Sequence, residues 1–469
     1  MKKENFDENN YRIINGDSLK VLDTLEENSI DACITDPPYE LGFMGKGWDK
    51  SGIAYNVEFW KKVYRTMKSG AYLLAFGGTR TFHRIACAIE DAGFEIRDTI
   101  MWLYGSGFPK SMNIGLAIDK KNGIESEVVG TGRCGKTRLM GGLREETHDT
   151  SFEVKKANNE WDGYGTALKP AYEPIIVARK PVEKSVVDNV LKYRVGGINI
   201  DECRVGDTGG VEKVDIEPNS GSKNSGFILP LQPKPLNMGR FPANVILTYD
   251  ETDEQEVCGG MPNTKGNTTD SPLLDIRGNN YNNANKTLDI SYERGFNDEG
   301  SAARYFYCAK ASKKDRDSGL DMLDAKSGHI KGNGLDRVCE FCGASQLTPW
   351  LCKCEVKSWV AKPRKNIHPT VKPVELMQYL VRLVSPKGAT ILDPFNGSGS
   401  TGKAVAFENR EREREYKYIG IELDKEYCEI SKGRIDYALN KYEYDMIEDI
   451  KKEEKETGQL SLFDFDEGE

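Results

Sequence analysis

Apolar and polar residues alternate along the first hundred residues in the order expected of parallel strands connected by helices. Tyr11 to Ile14 and Ile30 to Thr35 are short apolar runs, and Leu19 to Leu25 between them is amphipathic. Asn56 to Met67 has apolar residues at helical spacing, and Ala71 to Phe76 is a continuous apolar run. The pattern therefore predicts a β-α-β unit followed by another helix and another strand.

The same alternation returns near the other end of the chain. Strands that alternate with helices indicate a parallel sheet covered by helices, so we expect an α/β fold whose single layer is built from both ends of the chain. The predicted elements there are a helix at Pro373 to Val384, a strand at Thr390 to Leu392, a glycine-rich turn at Asn396 to Gly399, a helix to about Asn409, a strand at Tyr418 to Ile421 and a helix at Lys425 to Tyr437.

The middle of the chain has a different composition. Asn, Gly, Asp and Thr are frequent and periodic apolar stretches are few, so we expect a loop-rich insertion that is partly disordered over residues 259–300. The predicted division is a first α/β half at 1–182, an inserted region at 183–335, a segment with clustered cysteines and basic residues at 336–365, a second α/β half at 366–439 and a flexible acidic tail at 440–469.

Composition narrows the class of protein. The chain has 469 residues, of which 38% are hydrophobic and 30% charged, and no apolar run approaches the length that spans a bilayer. This argues against a membrane protein. Eleven cysteines, an odd number, do not suggest the disulfide framework of a secreted protein, so we expect a cytoplasmic protein.

The charge is unevenly distributed along the chain. The net charge is -9, but residues 440–469 alone contain eleven acidic and four basic residues, so the rest of the chain is close to neutral. Between Lys353 and Lys372 there are six basic residues and a single acidic residue, Glu355. A local basic stripe of this kind is compatible with a nucleic-acid partner despite the acidic net charge.

Asp36-Pro37-Pro38-Tyr39 follows the second predicted strand, at the edge where open α/β sheets bind their ligands. The two prolines stiffen the loop and leave carbonyl oxygens free to accept hydrogen bonds. Asp36 and the Pro37 carbonyl can accept both N–H bonds of a planar amine while Tyr39 stacks on the ring that carries it. An exocyclic base amine fits this description; an ordinary proline turn with a capping Asp is the alternative.

A second motif, Asp393 to Gly399 with the sequence DPFNGSG, lies between a predicted strand and a predicted helix. Its glycines allow the backbone to approach a ligand closely, but the Gly-Lys-Ser/Thr ending of a phosphate-binding loop is absent. The strand at Tyr418 to Ile421 leads into Glu422, an acid placed to accept hydrogen bonds from ribose hydroxyls. Loop and acid together predict a site for a nucleoside without phosphates.

With these motifs the sequence resembles the amino-group DNA methyltransferases that use S-adenosylmethionine, in the beta-class order with the catalytic motif before the cofactor motif. The resemblance implies a Rossmann-like methyltransferase sheet, circularly permuted, with an inserted target-recognition region that carries a small zinc finger. Lys169 to Pro174 and Ala309 to Lys314 are also similar to segments of phage or mobile-element enzymes of this family. We therefore expect a bacterial or phage-encoded enzyme.

The resemblance also assigns roles to individual residues. It implies a double-stranded DNA substrate, and it leaves a homodimer open. The residues with implied catalytic roles are Asp36, Pro37, Pro38 and Tyr39. The residues with implied contacts to S-adenosylmethionine are Asp17, Thr370, Lys372, Asp393, Phe395, Gly397, Ser398, Gly399 and Glu422.

The expected reaction is direct methyl transfer to an exocyclic amine. Methylation at carbon-5 of cytosine needs a thiolate, whose family signature is a Pro-Cys pair, and no such pair occurs in the sequence. The target base must leave the duplex to stack on Tyr39. Asp36, where cytosine-N4 members more often carry Ser, favours the N6 amine of adenine. Cytosine N4 is the main alternative, ahead of RNA or protein amide methylation and of a non-catalytic DNA-binding module.

Four cysteines are clustered between residues 336 and 365. Cys339 and Cys342 form one pair, and Cys352 and Cys354 form a second pair after a gap of nine residues. Two such pairs suit a closed four-sulfur zinc site. We predict a structural zinc in a small finger beside the basic stripe, with reduced, metal-free cysteines as the alternative.

The acidic tail contains the pentapeptide Gln459-Leu460-Ser461-Leu462-Phe463. It resembles the peptide by which bacterial replication and repair proteins bind the hydrophobic groove of the ring-shaped sliding clamp. Gln459 would be the polar anchor, and the three apolar side chains would fill pockets. The alternative is that Leu462 and Phe463 fold back on the catalytic domain.

Overall fold

The computed structural model describes residues 10–41, 47–105, 111–133, 151–206, 239–250, 299–311, 314–320 and 363–441, together with short pieces elsewhere between residues 261 and 361. Most of the segment 259–300, which is predicted to be disordered, lies outside the described residues. Also outside them are two predicted zinc ligands, Cys342 and Cys352, and the predicted clamp-binding residues Gln459, Leu460, Leu462 and Phe463.

A nine-stranded sheet forms the centre of the described fold. Its strands in chain order are β1 (Tyr11–Asn15), β2 (Ile30–Thr35), β3 (Met67–Phe76), β4 (Glu95–Leu103), β5 (Tyr172–Arg179), β6 (Val245–Asp250), β7 (Tyr307–Ala311), β8 (Thr390–Asp393) and β9 (Lys417–Glu422). They lie in the order β1-β9-β8-β2-β3-β5-β4-β6-β7. The first five of these are parallel, and β5 is antiparallel to β3. Both ends of the chain thus contribute adjacent strands to one Rossmann-like sheet.

The described α-helices are α1 (Ser18–Val21), α2 (Val57–Thr66), α3 (Phe82–Asp91), α4 (Ile114–Asn122), α5 (Val186–Tyr193), α6 (Val374–Val384), α7 (Ser400–Arg412) and α8 (Lys425–Leu439). The elements predicted from the apolar pattern near both ends are confirmed, with ends that differ by a few residues. The predicted helix at 19–25 is α1 continued by a 3-10 turn at Leu22–Thr24. Within the part of the chain that the structure describes, no helix is long and apolar enough to cross a membrane.

The core on one face of the sheet is formed by α2 and α3. Trp60 and Val63 of α2, Ile85 and Ile89 of α3 and Leu73 of β3 are fully buried in one apolar cluster. The helix residues recur every three or four positions, which places them on one helix face toward the sheet. This packing supports the central strands whose carboxyl ends carry the candidate site.

Two strands of the predicted insertion belong to the main sheet. β6 pairs in parallel with β4, and β7 pairs in parallel with β6. Ile246 and Leu247 of β6 are fully buried, and Trp102 Nε1 on β4 donates a hydrogen bond to Thr248 Oγ1 at 2.6 Å. The predicted boundary at residue 183 therefore differs from the observed organisation, because an apolar strand from the insertion covers an edge that β4 would otherwise expose.

Residues 104–172 form a separate compact unit, although the sequence-based division includes them in the first α/β half. The unit contains α4 and a hairpin of the strands Glu127–Arg133 and Ser151–Lys156. The buried carboxylate of Asp119 on α4 accepts hydrogen bonds from the Asn158 main-chain N–H and from the Asn159 side chain. These bonds lower the pKa of Asp119 and tie α4 to the segment after the hairpin.

Candidate active site

The two sequence motifs meet at the carboxyl edge of the sheet. β2 leads into Asp36 and β8 ends at Asp393, and these two strands are neighbours. The hydroxyl of Thr35, the residue before Asp36, donates a hydrogen bond to Asp393 Oδ1 at 2.7 Å. The structure therefore brings the amine-binding candidate and the glycine-rich loop together, as expected for ligand sites in open α/β sheets.

Four polar side chains form a cluster at this edge, which we name the carboxylate cluster: Asp36, Tyr39, Glu173 and Lys372. The Lys372 ammonium lies 2.9 Å from Asp36 Oδ2 and 3.1 Å from Glu173 Oε2. It also donates to the Tyr39 hydroxyl at 3.1 Å, and that hydroxyl donates to Glu173 Oε2 at 2.7 Å. Lys372, which the resemblance assigns to the cofactor, thus contacts the residues of the amine site.

Burial and charge shift the protonation of the carboxylate cluster. Burial, together with the charges of Asp36 and Glu173, raises the pKa of the Tyr39 hydroxyl well above its ordinary value. Burial disfavours the charged form of Lys372, but the two carboxylates outweigh it and raise the pKa of the ammonium. At neutral pH the cluster therefore contains a neutral phenol and a charged ammonium.

One carboxylate oxygen of the cluster has no hydrogen-bond partner among the described residues. This oxygen, Asp36 Oδ1, is buried. Leaving such an oxygen unsatisfied costs stability, so a buried acceptor of this kind needs an explanation. A substrate N–H that binds there would satisfy it, which is what an amine-binding site requires.

The glycine-rich loop at residues 394–399 needs glycine at two positions. Gly397 and Gly399 have φ angles of 51° and 74°, in the left-handed region that side chains with a Cβ disfavour. A Cβ at Gly397 would lie 2.8 Å from His368 Nε2, and a Cβ at Gly399 would lie 2.3 Å from Ser431 Oγ. The loop therefore packs tightly against both neighbours, and only glycine fits at these two positions.

Asp393 fixes the start of the loop. Its Oδ2 accepts the Thr401 hydroxyl at 2.7 Å, and its Oδ1 accepts the Phe395 main-chain N–H at 3.1 Å. Burial raises the pKa of Asp393 to about 6, although these hydrogen bonds act in the opposite direction. In this structure Asp393 thus holds the shape of the loop.

Glu422, the predicted ribose-binding acid, also contacts the loop. Its Oε2 accepts the Gly397 N–H at 2.7 Å, and its Oε1 accepts the Asp424 N–H at 2.9 Å. A carboxylate offers about four lone-pair sites, so these two bonds leave capacity for ribose hydroxyls. This remaining capacity of the carboxylate fits the predicted contact with a nucleoside.

The other predicted cofactor residues have different surroundings. Asp17 caps α1 by accepting a main-chain N–H at 3.0 Å, and Thr370 is exposed. The Phe395 ring packs on Phe59 with ring centroids 4.9 Å apart, and Ser398 is buried. The roles of these residues toward a cofactor stay predictions.

Two residues of the site have no role in the sequence-based interpretation. Glu173 is the second residue of β5, and its only sequence signal is that it is the single acid in a strand that is otherwise apolar up to Ala178. Arg434 is fully buried on α8 and donates to the Ser398 carbonyl at 2.7 Å. The sequence carries no signal for Arg434, because a basic residue in an amphipathic helix is ordinarily exposed.

The predicted zinc site is partly within the described residues. The strand Arg337–Cys339 pairs antiparallel with Trp359–Ala361, with Cys339 opposite Trp359. This pairing brings together the ends of the segment that contains the other three cysteines. No group of three or more His, Cys, Asp or Glu side chains is placed to hold a metal ion in the described ranges, which omit Cys342 and Cys352.

The fold and the site define an α/β protein in which the Asp36–Tyr39 loop lies beside the glycine-rich loop at the carboxyl edge of the sheet. A family model for N6 and N4 methyltransferases, described as DNA methylase, matches residues 30–433. The match covers most of the chain, including both motifs. The chain therefore belongs to the N6/N4 DNA methylase family.

Individual relatives match smaller parts. The chain is 24% identical over 229 residues to the type II methyltransferase M.HindIII of Haemophilus influenzae, which covers 40% of this chain and 64% of the relative. It is 36% identical over 94 residues to the DNA adenine methyltransferase YhdJ of Escherichia coli, which covers 20% of this chain and 29% of the relative. The alignments thus span less than two thirds of these relatives.

Among solved structures, the chain is similar to the cytosine-N4-specific PvuII DNA methyltransferase. The sequence identity is 13%, the TM-score is 0.36, and the match covers 92% of this chain and 93% of that chain.

Proposed function

We propose that this protein transfers a methyl group from S-adenosylmethionine to the N6 amine of adenine in double-stranded DNA. The observation that carries the proposal is Asp36 Oδ1, which is buried and has no partner among the described residues. It lies in the same loop as Tyr39, and the hydroxyl of Thr35 joins this loop to Asp393 of the glycine-rich motif. A carboxylate acceptor next to an aromatic ring suits an exocyclic base amine.

The residues of the amine site have distinct roles in this reaction. Asp36 and the Pro37 carbonyl accept the N–H bonds of the amine, which favours a pyramidal nitrogen with an available lone pair. Pro38 keeps the loop rigid, and Tyr39 stacks on the base. These groups cannot reach a base stacked in a duplex, so the target base is flipped out.

The cofactor side is formed by the glycine-rich loop and β9. The main chain at Gly397 and Gly399 approaches the nucleoside closely, and Glu422 accepts hydrogen bonds from its ribose. S-adenosylmethionine, when bound, supplies an electrophilic methyl group. Positioning and electrostatics then provide the rate enhancement, since no covalent intermediate is needed.

Adenine is the favoured target on two grounds. The family resemblance associates Asp at the position of Asp36 with adenine, and one relative is named a DNA adenine methyltransferase. Methylation of cytosine N4 is the second candidate, because the matching family model covers both amines.

We also infer how the rest of the chain serves this function. The catalytic half precedes the cofactor half, a circular permutation that is supported by the adjacency of β8 and β2 in one sheet. The insertion recognises the target sequence, with a structural zinc at the clustered cysteines. The tail docks onto the sliding clamp.

Sequencing with modified-base detection tests the proposal. DNA from cells that express the chain should carry N6-methyladenine within one sequence motif, and DNA from cells that express Asp36→Ala should not. Purified Asp36→Ala should keep its affinity for S-adenosylmethionine by calorimetry, whereas Glu422→Ala should lose about 1 to 3 kcal/mol of binding free energy. N4-methylcytosine would select the second candidate, and the absence of any modified base would exclude both.

A further inference from the structure

We propose that Glu173 is a positioning residue for methyl transfer, which fixes Tyr39 and Lys372 and adds a negative charge to the amine site. The inference rests on the proposed function. It assigns to the site a residue that lies 134 positions from Tyr39 along the chain.

The geometry centres on one oxygen. Glu173 Oε2 accepts the Tyr39 hydroxyl at 2.7 Å and lies 3.1 Å from the Lys372 ammonium. The same ammonium lies 2.9 Å from Asp36 Oδ2. Because the Lys372 side chain is only 9% exposed, and those of Asp36 and Glu173 are 23% and 21% exposed, bulk water screens these contacts weakly.

The contacts position both partners of Glu173. A phenol that donates its hydrogen bond to a carboxylate has a fixed hydroxyl position, so Glu173 limits the movement of the ring on which the flipped base stacks. Lys372 is held between two carboxylates, so its single positive charge is shared by Asp36 and Glu173. Its ammonium also lies 4.9 Å from the Phe76 ring centre, which limits its movement away from the site.

The charge of the carboxylate cluster follows from its composition. Asp36 and Glu173 contribute two negative charges, Lys372 contributes one positive charge, and Tyr39 is neutral. In the proposed transfer, the amine nitrogen forms a bond to the methyl carbon while the bond from that carbon to sulfur breaks. The electron pair remains on sulfur, and the amine nitrogen becomes positively charged before it releases one proton to a carboxylate of the cluster and then to solvent.

A preorganised negative charge stabilises this developing positive charge. Without Glu173, the ammonium of Lys372 would pair with Asp36 alone and the cluster would be neutral. Glu173 would then affect the chemical step more than the binding of cofactor or DNA. A merely structural residue would affect all of these together.

The chain contains a matched control for this test. Glu183 also pairs with a lysine and a tyrosine: it lies 2.6 Å from the Lys192 ammonium and accepts the Tyr193 hydroxyl, but at an exposed position away from the motifs. Glu183→Gln therefore removes the same kind of contacts without touching the carboxylate cluster.

The experiment compares full-length wild type, Glu173→Gln, Glu173→Asp and Glu183→Gln. Single-turnover methylation is measured at saturating S-adenosylmethionine on a duplex that contains the motif found by modified-base sequencing. Cofactor affinity is measured by calorimetry, and base flipping by the fluorescence of 2-aminopurine at the target position. Glu173→Gln should slow the single-turnover rate about 100-fold, with both binding readouts changed by less than about threefold. Glu173→Asp should recover part of the rate, and Glu183→Gln should match wild type.

The outcomes separate the inference from the proposed function. Absence of methylation by wild type would overturn the proposed function and this inference with it. Methylation by wild type and by Glu173→Gln at similar rates would overturn the inference alone. The inference alone would also be overturned if Glu173→Gln and Glu173→Asp lose methylation rate, cofactor affinity and base flipping in parallel, since that pattern indicates a structural role.

Discussion

The guanidinium of Arg434 donates a hydrogen bond of 2.7 Å to the carbonyl oxygen of Ser398, inside the glycine-rich loop. The same nitrogen donates to Ser398 Oγ at 3.0 Å and to Ser400 Oγ at 3.2 Å. On its other side the guanidinium lies 3.7 Å from Asp315 Oδ2, which comes from the region between the two α/β halves. Asp315 Oδ1 also lies 2.6 Å from the Lys403 ammonium. A buried charge network beneath the loop thus fixes its conformation.

Arg434→Met should weaken binding of S-adenosylmethionine more than it disturbs the rest of the fold. The substitution removes charge-assisted hydrogen bonds to the loop, each with a typical net value of about 1.5 to 3 kcal/mol. Calorimetric titration with the cofactor and urea unfolding measure the two effects. Arg410→Met is the matched control, because Arg410 also donates to a carbonyl, that of Ala438 at 2.6 Å, but outside the loop. Equal cofactor affinity in the two variants would contradict the prediction.

Two titratable groups beside the loop, the buried Asp393 and the half-buried His368, have opposite effects on stability in acid. Burial lowers the pKa of His368 to about 4, below its ordinary 6.5, so the unfolded chain binds the proton more tightly. Its contribution to stability is therefore lost as the pH falls through this window. Burial raises the pKa of Asp393 from 3.8 to about 6, so the folded chain binds that proton more tightly. Its contribution grows as the pH falls from 6 toward 4.

Single substitutions should separate these effects. On acidification from neutral pH, His368→Gln should lose less unfolding free energy than wild type, and Asp393→Asn should lose more. The differences are bounded by about 1.4 kcal/mol per pH unit within each window. Urea unfolding at a series of pH values measures them. His83→Gln, at an exposed position of α3, should follow wild type. If the plots of unfolding free energy against pH for His368→Gln and Asp393→Asn both stay parallel to the wild-type plot, neither pKa shift contributes to stability.

The elements of the fold follow from the sequence because their signals are local. The spacing of Trp60 and Val63 predicts α2, and the apolar run within β3 predicts that strand. The position of Asp36 and Asp393 at strand ends also follows, since both motifs come directly after apolar strands, whereas the structure shows that the two strands are neighbours.

The contacts of the site do not follow from the sequence because they depend on distant partners. Nothing local distinguishes Lys372 as the partner of Asp36 among 65 lysine and arginine residues. Glu173 likewise gains its contacts with Tyr39 and Lys372 only when β5 pairs with β3. The strands β6 and β7 are short apolar runs in a polar region, and only the pairing of β6 with β4 shows that they extend the sheet.

Metal analysis should find about one zinc per chain in protein purified under reducing conditions. Cys342→Ser should release the metal, because a structural site with four ligands loses most of its affinity for zinc when one ligand is removed. Cys87→Ser, at an exposed position of α3, should retain it. Loss of zinc should weaken DNA binding more than binding of S-adenosylmethionine, since the predicted ligands belong to the inserted part of the sequence and not to either α/β half. Metal-free wild type would favour the alternative of reduced cysteines.

The tail should bind the bacterial sliding clamp through Leu462 and Phe463. A short peptide that orders few residues gains little beyond two or three filled pockets, so we expect micromolar affinity, about -8 kcal/mol. A fluorescent peptide spanning Thr457 to Glu469 measures this by anisotropy with purified clamp. The peptide with Leu462→Ala and Phe463→Ala keeps the acidic residues and is the control for nonspecific charge effects.

Even weak docking would raise the local concentration of the enzyme at newly replicated DNA. Equal binding of the two peptides, or binding by neither, would favour the alternative that these side chains fold back on the protein.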